Sequence, residues 1–321
     1  MIIILNDLGH VEAKKEEKEV RLSLKQWTMQ PFVRVIPDKP ATSTTAGLSQ
    51  LSEPCLNTPM KSEQIIAALA LLLAMLGPLR AQEKSFRPAQ DALPVSPPED
   101  AIVLFDGKQT NHFLSMSGGA MNWKIQKGEL ISTKGGRNAN HLVSRLHFRD
   151  VDIHVEFMLS PSGSGNSGVY IHGNYELQII RSHGKENLGQ GDMGAIYGFA
   201  KPLVNAARPP GQWQVYDIRY RAPRRDQNEK ITEPGSITAW LNGQLVQKET
   251  RFGEPRSKYH PYRHGTTPYL QKIWARQKKT MEGPVFLQDH GHPTRFRNVW
   301  VRPLDKKAFF YDPSKDPTPG S

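Results

Sequence analysis

Apolar and polar residues alternate along most of the chain between residues 101 and 304. The clearest stretch is Val151 to Leu159, where one face carries Ile153, Val155, Phe157 and Leu159. Side chains two apart on a strand share a face. This pattern therefore predicts a half-buried β-strand whose other face carries polar residues.

Further segments of this kind are separated by glycine-containing turns, at 123–132, 169–180, 213–220, 237–247, 284–288 and 295–301. Lys127-Gly128 and Asn242-Gly243 are typical of tight hairpin turns. We find no ten-residue stretch of helical period after residue 81. The pattern predicts an all-β fold, a two-sheet antiparallel sandwich.

Twelve uncharged residues from Ile65 to Leu76 form the longest apolar run. The run is too short to span a membrane as a helix but suits the apolar part of a secretory signal. Met60-Lys61 precedes it, and Leu79-Arg80-Ala81 follows it. We expect a signal peptide at 60–81 and misassigned upstream translation at 1–59. The alternative is a buried core helix at 65–76 within an ordinary N-terminal domain.

The mature protein is then expected to be exported, periplasmic or extracellular, without a stable transmembrane segment. Its first part, 82–100, is rich in Pro, Gln, Glu and Ser and is interpreted as a linker. Residues 101–304 are enough for one sandwich core. The remainder, 305–321, is interpreted as a flexible tail.

Composition narrows the class of protein. Of the 321 residues, 37% are hydrophobic, which fits a packed domain and excludes a polytopic membrane protein. The single cysteine, Cys55, excludes a disulfide framework and a thiolate zinc cluster.

The chain is basic. Nine of the 42 Lys and Arg and eight of the 31 Asp and Glu lie in residues 1–81, so the remainder carries 33 basic and 23 acidic residues. Such a surface can attract polyanions. No nucleic-acid module is recognisable, so we expect a carbohydrate partner and no nucleic acid. The alternative is a solvated basic surface.

Residues 249–282 interleave basic side chains with Tyr259, Tyr262, Tyr269 and Trp274. This combination can bind nucleic acid or stack on sugars. The alternative, which we favour over nucleic-acid binding, is a surface insertion whose aromatic residues hold it to a sheet edge. It could also form a wall of a sugar groove.

Strand alternation also selects polar residues that face away from the core, namely His154, Glu156, Tyr170, His172, Glu176, Gln178, Gln288 and His290. If their strands are neighbours, these residues form a polar surface typical of a sugar-binding groove. The alternative is an ordinary solvated face, which would usually show Lys, Thr and Ser instead.

The sequence contains only weak motifs for metal binding and none for a serine nucleophile. His290-Gly291-His292 matches no closed zinc pattern. Calcium bound through backbone and carboxylate oxygens stays open. No Gly-x-Ser-x-Gly motif supports a serine nucleophile, and the glycines at 163–168 lack a P-loop lysine. No cofactor is assigned, and a divalent metal such as calcium remains an option.

Several motifs occur together in order: Leu104-Phe105-Asp106-Gly107-Lys108, Trp123 with Gly128-Glu129-Leu130, Asn166-Ser167-Gly168-Val169-Tyr170, Tyr175-Glu176-Leu177-Gln178, Gly194-Ala195-Ile196-Tyr197, Pro209-Pro210-Gly211-Gln212-Trp213, Leu241-Asn242-Gly243, and Leu287-Gln288-Asp289-His290-Gly291 with Phe296-Arg297-Asn298. Over 101–304 the chain resembles the 3-keto-disaccharide hydrolase domain family, formerly a domain of unknown function. The sequence differs from many members at His172, where they have arginine.

The resemblance implies a concanavalin A-like jelly roll exported by glycan-degrading bacteria. It also implies cleavage of glycosides or disaccharides oxidised to a ketone at C3. The family motifs and the strand alternation select the same catalytic candidates, His172, Glu176, Gln178 and His290. The expected substrate contacts are Glu156, Asn166, Tyr197, Gln288 and Arg297.

A C3 ketone acidifies the C2 proton, so a base can form an enolate that expels the C1 substituent. We expect Glu176 or His172 as the base, and His290 with Gln178 at the carbonyl. A sub-alternative is hydrolysis by two carboxylates, Glu156 and Glu176. The rival classes are a non-catalytic lectin-like module and a structural envelope protein.

Overall fold

The structure, a computed structural model, describes residues 92–312 except 109, 133–139, 164 and 253–258, together with residue 315 and three N-terminal strands. The chain forms two compact units, Met1–Pro78 and Leu79–Ser321. In the first unit, β1 (Ile2–Leu5), β2 (Val11–Lys15) and β3 (Lys18–Arg21) form an antiparallel sheet. The predicted signal peptide at 60–81 lies outside the described residues.

In the second unit the described strands are β4 (Ile102–Phe105), β5 (Phe113–Ser115), β6 (Lys124–Gln126), β7 (Glu129–Ile131), β8 (Leu142–Ser144), β9 (Leu146–His147), β10 (Val151–Met158), β11 (Asn166–Ile171), β12 (Tyr175–Ile180), β13 (Gln214–Arg221), β14 (Arg224–Arg225), β15 (Ile231–Glu233), β16 (Gly235–Leu241), β17 (Gln244–Phe252), β18 (Val285–Leu287), β19 (Arg295–Pro303) and β20 (Phe309–Phe310). A helix, α1 (Pro268–Thr280), lies between β17 and β18.

Two antiparallel sheets dominate this unit. The eight-stranded sheet has the order β17-β16-β13-β10-β19-β7-β6, with β4 also paired to β19, and the five-stranded sheet has the order β12-β11-β18-β8-β5. Apolar side chains of both sheets form one core, to which β10 contributes Ile153, Val155 and Phe157. The predicted two-sheet antiparallel sandwich is confirmed.

Both predicted hairpin turns are present. Lys127 and Gly128 have φ of 54° and 75°, and Asn242 and Gly243 have φ of 51° and 79°. Positive φ at both central residues matches the twist of the flanking strands, and asparagine and glycine tolerate it best. Asn242 also accepts a hydrogen bond from the backbone N–H of Val215 (3.0 Å).

The polar face of β10 is buried rather than exposed, which corrects the half-buried strand predicted above. His154 and Glu156 are 0% exposed. Part of the predicted linker reaches this face, because the Val95 N–H donates to Glu156 Oε1 (2.7 Å) and Asn298 Nδ2 donates to the Val95 carbonyl (2.6 Å). At least this part of 82–100 is therefore attached to the domain.

Helix α1 contradicts the expectation that no helix follows residue 81. Thr267 caps its N-terminus by accepting from the Leu270 N–H (3.2 Å), and Pro268 suits the first turn. Its buried stripe consists of Tyr269, Leu270, Ile273 and Gln277. Basic and polar residues surround this narrow stripe in the sequence, so its helical period is weak.

Helix α1 covers part of the outer face of the five-stranded sheet. Its apolar side chains form a second cluster with sheet residues Val143, Tyr170 and Phe286. The interpretation of 249–282 as an insertion held by aromatic residues agrees with this packing, but the contacts lie on the face of the sheet and not at the predicted sheet edge. No helix within the described residues is long and apolar enough to cross a membrane.

The start of the predicted tail also packs on the domain. Phe309 and Phe310 in β20 pair with β9, and Tyr311 is buried in the second cluster at 2% exposure. The flexible-tail prediction is therefore wrong for residues 309–311. Charged residues around this short aromatic run conceal it in the sequence.

Candidate active site

The part of the outer face of the five-stranded sheet that helix α1 does not cover collects polar side chains, most of them buried. Glu176 lies opposite Tyr170, and Gln178 lies opposite Gly168, in the β11–β12 ladder. The Gln288 N–H then donates to the Gly168 carbonyl (2.9 Å), which places Gln288 beside this pair. The register therefore brings the predicted residues Glu176, Gln178 and Gln288 together.

Glu176 is the titratable centre of this face. Its side chain is buried at 3% exposure. Burial raises the pKa of Glu176 to about 7, while hydrogen bonds from Tyr170 and Gln288 act in the opposite direction. A carboxyl group with a pKa near 7 can both take up and release a proton at neutral pH.

Gly168 leaves the space that Glu176 occupies. A Cβ atom at position 168 would lie 2.5 Å from Glu176 Oε1 and 2.8 Å from its Cγ. Such distances are too short for non-bonded atoms, so the carboxyl group would have to move. Glycine at this position is therefore part of how the fold places Glu176.

Gly168→Ala is expected to lower kcat/KM by about 10²-fold, because a displacement of about 1 Å at a reacting group can have that effect. Steady-state kinetics with the substrate proposed below measures it. Gly119→Ala is the control, since a Cβ there makes only an ordinary contact at 3.7 Å. Equal activity of the two variants would contradict this account of Glu176.

Two buried amide oxygens beside Glu176 lack hydrogen-bond partners among the described residues. They are Oε1 of Gln178 and Oε1 of Gln288. The Gln288 Nε2 group donates to the Tyr170 hydroxyl (3.0 Å), which fixes the orientation of that amide. An unpaired buried acceptor is costly, and hydroxyl groups of a bound ligand would satisfy both.

His141 is a further candidate residue at this face, which strand alternation does not select. Its Nδ1 accepts from the Asp289 N–H (3.1 Å), so a neutral ring carries its proton on Nε2. Burial, and then the charge of His290, lower the pKa of His141 to about 3. The ring stacks on Tyr170 with centroids 5.8 Å apart. His141 is therefore a neutral donor at working pH.

Three other predicted residues lie at the border of this face. The Tyr197 N–H donates to the Glu176 carbonyl (2.9 Å), and its ring centroid is 6.3 Å from that of Tyr259. Burial, followed by the charge of Glu176, raises the pKa of Tyr197. His290 is exposed, and alternation along β11 places Asn166 on the face of Gly168.

His172 does not join Glu176. It follows the end of β11 with φ of 54°, so strand parity no longer applies to it. Its Nε2–H donates to the Phe148 carbonyl (2.7 Å), and its Nδ1 accepts from the Tyr220 hydroxyl (3.2 Å). Burial lowers the pKa of His172 to about 3. With both nitrogens engaged in the protein interior, it is a poor base.

Glu156 and Arg297 lie on the outer face of the other sheet. Glu156 accepts from Arg297 Nε (2.7 Å) and from Asn298 Nδ2 (2.8 Å). The apolar core separates this face from Glu176. Glu156 and Arg297 therefore do not share a groove with Glu176, contrary to the expected polar surface, and Glu156 cannot pair with Glu176 across one glycosidic bond.

The described residues contain no group of three or more His, Cys, Asp and Glu side chains suited to a metal ion. The calcium option therefore stays a prediction without a side-chain cluster to carry it in this part of the chain.

Residues 100–302 match the family described as the 3-keto-alpha-glucoside-1,2-lyase-like domain. The chain belongs to this family. The resemblance stated above is confirmed, and its predicted limits of 101 and 304 differ from the match by one and two residues. Membership makes the second unit a glycosidase-like, carbohydrate-active domain.

One solved structure agrees with this assignment. The chain is similar to a candidate glycosyl hydrolase from Parabacteroides distasonis, with 32% identity over 65% of this chain and 86% of that one, at a TM-score of 0.55. A second candidate glycosyl hydrolase from the same organism shows 22% identity over 64% of this chain and 95% of that one, at a TM-score of 0.45. No curated protein matches the sequence.

Proposed function

We propose that this protein is an enzyme that cleaves 3-keto-glycosides by elimination on the outer face of the five-stranded sheet, with Glu176 as the base. The observation that carries the proposal is the buried Glu176 carboxyl group, whose pKa is raised to about 7. Family membership supports the substrate class.

The proposed reaction begins with removal of the C2 proton. The Glu176 carboxylate takes this proton, and the C2–H electron pair forms an enolate with the C3 carbonyl. The enolate re-forms the ketone as the C1–O bond breaks, and the leaving oxygen takes a proton. Water then adds across the C1–C2 double bond of the enone, which releases a 3-keto sugar.

Hydrogen-bond donors near Glu176 would stabilise the enolate oxygen. His141, with its proton on Nε2, can donate without changing its own charge. His290 directly follows Asp289, whose N–H donates to His141 Nδ1 (3.1 Å), so the backbone holds the two histidines close together. We assign His141 and His290 to the carbonyl and leaving-group oxygens. Gln178 and Gln288 accept from sugar hydroxyls through their unpaired amide oxygens.

The direct test incubates the purified protein with a panel of 3-keto-glycosides and their unoxidised parents, with and without EDTA, and measures aglycone release. Release from the keto substrates alone supports elimination, and sensitivity to EDTA would add a metal. Release from the parents as well would point to ordinary hydrolysis. Sugar binding without any release would make the protein a carbohydrate-binding module and overturn the proposal.

The rate should rise with pH. Glu176 must be a carboxylate to accept the C2 proton, and its pKa is about 7. We therefore expect kcat/KM for a 3-keto-glycoside to increase from pH 5 to pH 8, with a midpoint near pH 7. A rate profile at constant ionic strength measures this. A midpoint near pH 4.5, the ordinary value for glutamate, would contradict the role of burial.

A further inference from the structure

A cavity of about 190 Å³ lies away from the Glu176 face, next to the turn that joins β11 to β12. Tyr175 and Tyr220 line it from the core side, and Trp274 and Gln277 line it from helix α1. Tyr175 is adjacent to Glu176 in β12, so the two side chains point to opposite faces of the sheet. The cavity is therefore a separate place from the proposed active site.

The inner part of the cavity offers polar groups with spare hydrogen-bonding capacity. Asn174 is 7% exposed and lines the cavity. The Tyr220 hydroxyl donates to His172 Nδ1, because the proton of that ring is on Nε2 and bonds to Phe148. The Tyr220 oxygen can therefore still accept a hydrogen bond. These groups suit a ligand that carries hydroxyls.

The opening of the cavity combines an aromatic ring with positive charge. The Lys278 ammonium lies 4.8 Å from the Trp274 ring centroid. Arg225 is the second cation, and Glu229 is the acid in the lining. The Arg225 guanidinium donates to the Glu229 backbone carbonyl (2.5 Å). Two cations against one exposed acid favour an anionic ligand at this opening.

We propose that this cavity binds one sugar residue that carries an anionic group, as a second carbohydrate site. The cavity volume of about 190 Å³ is enough for a single pyranose ring. The sugar would contact Trp274, whose ring also stacks on Tyr262 with centroids 5.9 Å apart. Its anionic group would lie toward the Lys278 ammonium over that ring, while Asn174 and Tyr220 bond to its hydroxyls. This site gives a role to the basic and aromatic pattern of residues 249–282, part of which lines the cavity.

The test is isothermal titration calorimetry of the full-length protein with four ligands: glucuronate, glucose 6-sulfate, glucose and uridine monophosphate. We expect at least one of the two acidic sugars to bind about tenfold or more tightly than glucose. Comparison of the two acids tells a carboxylate from a sulfate. No binding of either acid, equal binding of glucose, or tighter binding of the nucleotide would overturn the proposal.

Matched variants locate the site. Lys278→Gln should weaken binding of the acidic sugar about tenfold or more, as expected when a charge-assisted contact is lost. Lys279→Gln removes the same charge one residue further along α1, at a position that does not line the cavity, and should have no such effect. Equal weakening by both variants would mean general surface attraction and overturn the proposal.

Two more variants separate this site from the catalytic one. Trp274→Ala should abolish the preferred binding, and Trp274→Phe, which keeps an aromatic ring, should restore most of it. Glu176→Gln should leave binding of the acidic sugar unchanged. Loss of binding in Glu176→Gln would place the ligand at the active site and overturn the proposal of a second one.

Discussion

Glu176→Gln is expected to lower kcat/KM for a 3-keto-glycoside by about 10²–10⁴-fold, the usual contribution of a general base. Glutamine has the size of glutamate and can keep contacts with Tyr170 and Gln288, but its amide cannot accept the C2 proton. Steady-state kinetics on keto substrates measures the loss. Glu186→Gln is the control, because Glu186 is an exposed carboxyl group in the same domain.

The same variant should gain stability at alkaline pH. The pKa of Glu176 is about 7 in the folded protein and near 4.5 when unfolded, so the folded state binds more protons between these values. The free energy of unfolding of the wild type therefore falls as pH rises from about 4.5 to 7. Glutamine does not titrate, so the variant should be more stable at pH 8 by roughly 1–3 kcal/mol.

Urea unfolding of wild type and Glu176→Gln at pH 4 and pH 8 checks this. The two proteins should have similar stability at pH 4 and diverge at pH 8. A parallel pH dependence would mean that the carboxyl group is not desolvated. Loss of both activity and stability at pH 8 would indicate a structural role and would remove the main support for Glu176 as the base.

Glu156→Ala is expected to have the opposite effect, lowering the free energy of unfolding by about 3–5 kcal/mol at pH 7, as when one partner of a buried ion pair is removed. Glu156 is fully buried and accepts hydrogen bonds from Arg297, Asn298 and Val95. Removing its carboxylate leaves these donors unpaired. The folded fraction should keep kcat near the wild-type value, because the core lies between Glu156 and Glu176.

Chemical denaturation, with activity measured where the variant is folded, checks this prediction. Glu129→Ala is a suitable control, because Glu129 pairs with Arg295 (2.8 Å) on the same sheet and Arg295 is 42% exposed. An exposed pair of this kind contributes about 0–1 kcal/mol. A stable Glu156→Ala protein without turnover would contradict this prediction and indicate that Glu156 takes part in the reaction.

Much of the fold follows from local pattern. The alternation of apolar and polar residues predicts strand β10, and the Asn242-Gly243 pair predicts its hairpin. Both signals are local properties of the sequence. The same alternation selects Glu176 and Gln178, since both lie within one strand. Alternation does not hold at His172, which lies beyond the end of β11.

Other features depend on contacts between distant parts of the chain. Strand alternation predicts that Glu156 faces away from the core, but it does not indicate which of the two sheets contains its strand. His141 precedes a strand of only three residues, too short for a period to show. Helix α1 becomes recognisable only with the sheet surface that buries its narrow apolar stripe.

Helix α1 also limits what can lie on the outer face. Tyr170 joins the two regions, because its ring packs in the cluster with α1 while its hydroxyl reaches the Glu176 group. Helix α1 therefore blocks a ligand beside Glu176 on the side of Tyr170, and the ligand extends away from the helix. We expect an exo mode of attack on free disaccharides or chain termini, with release after each cleavage, in place of processive movement along a continuous polymer.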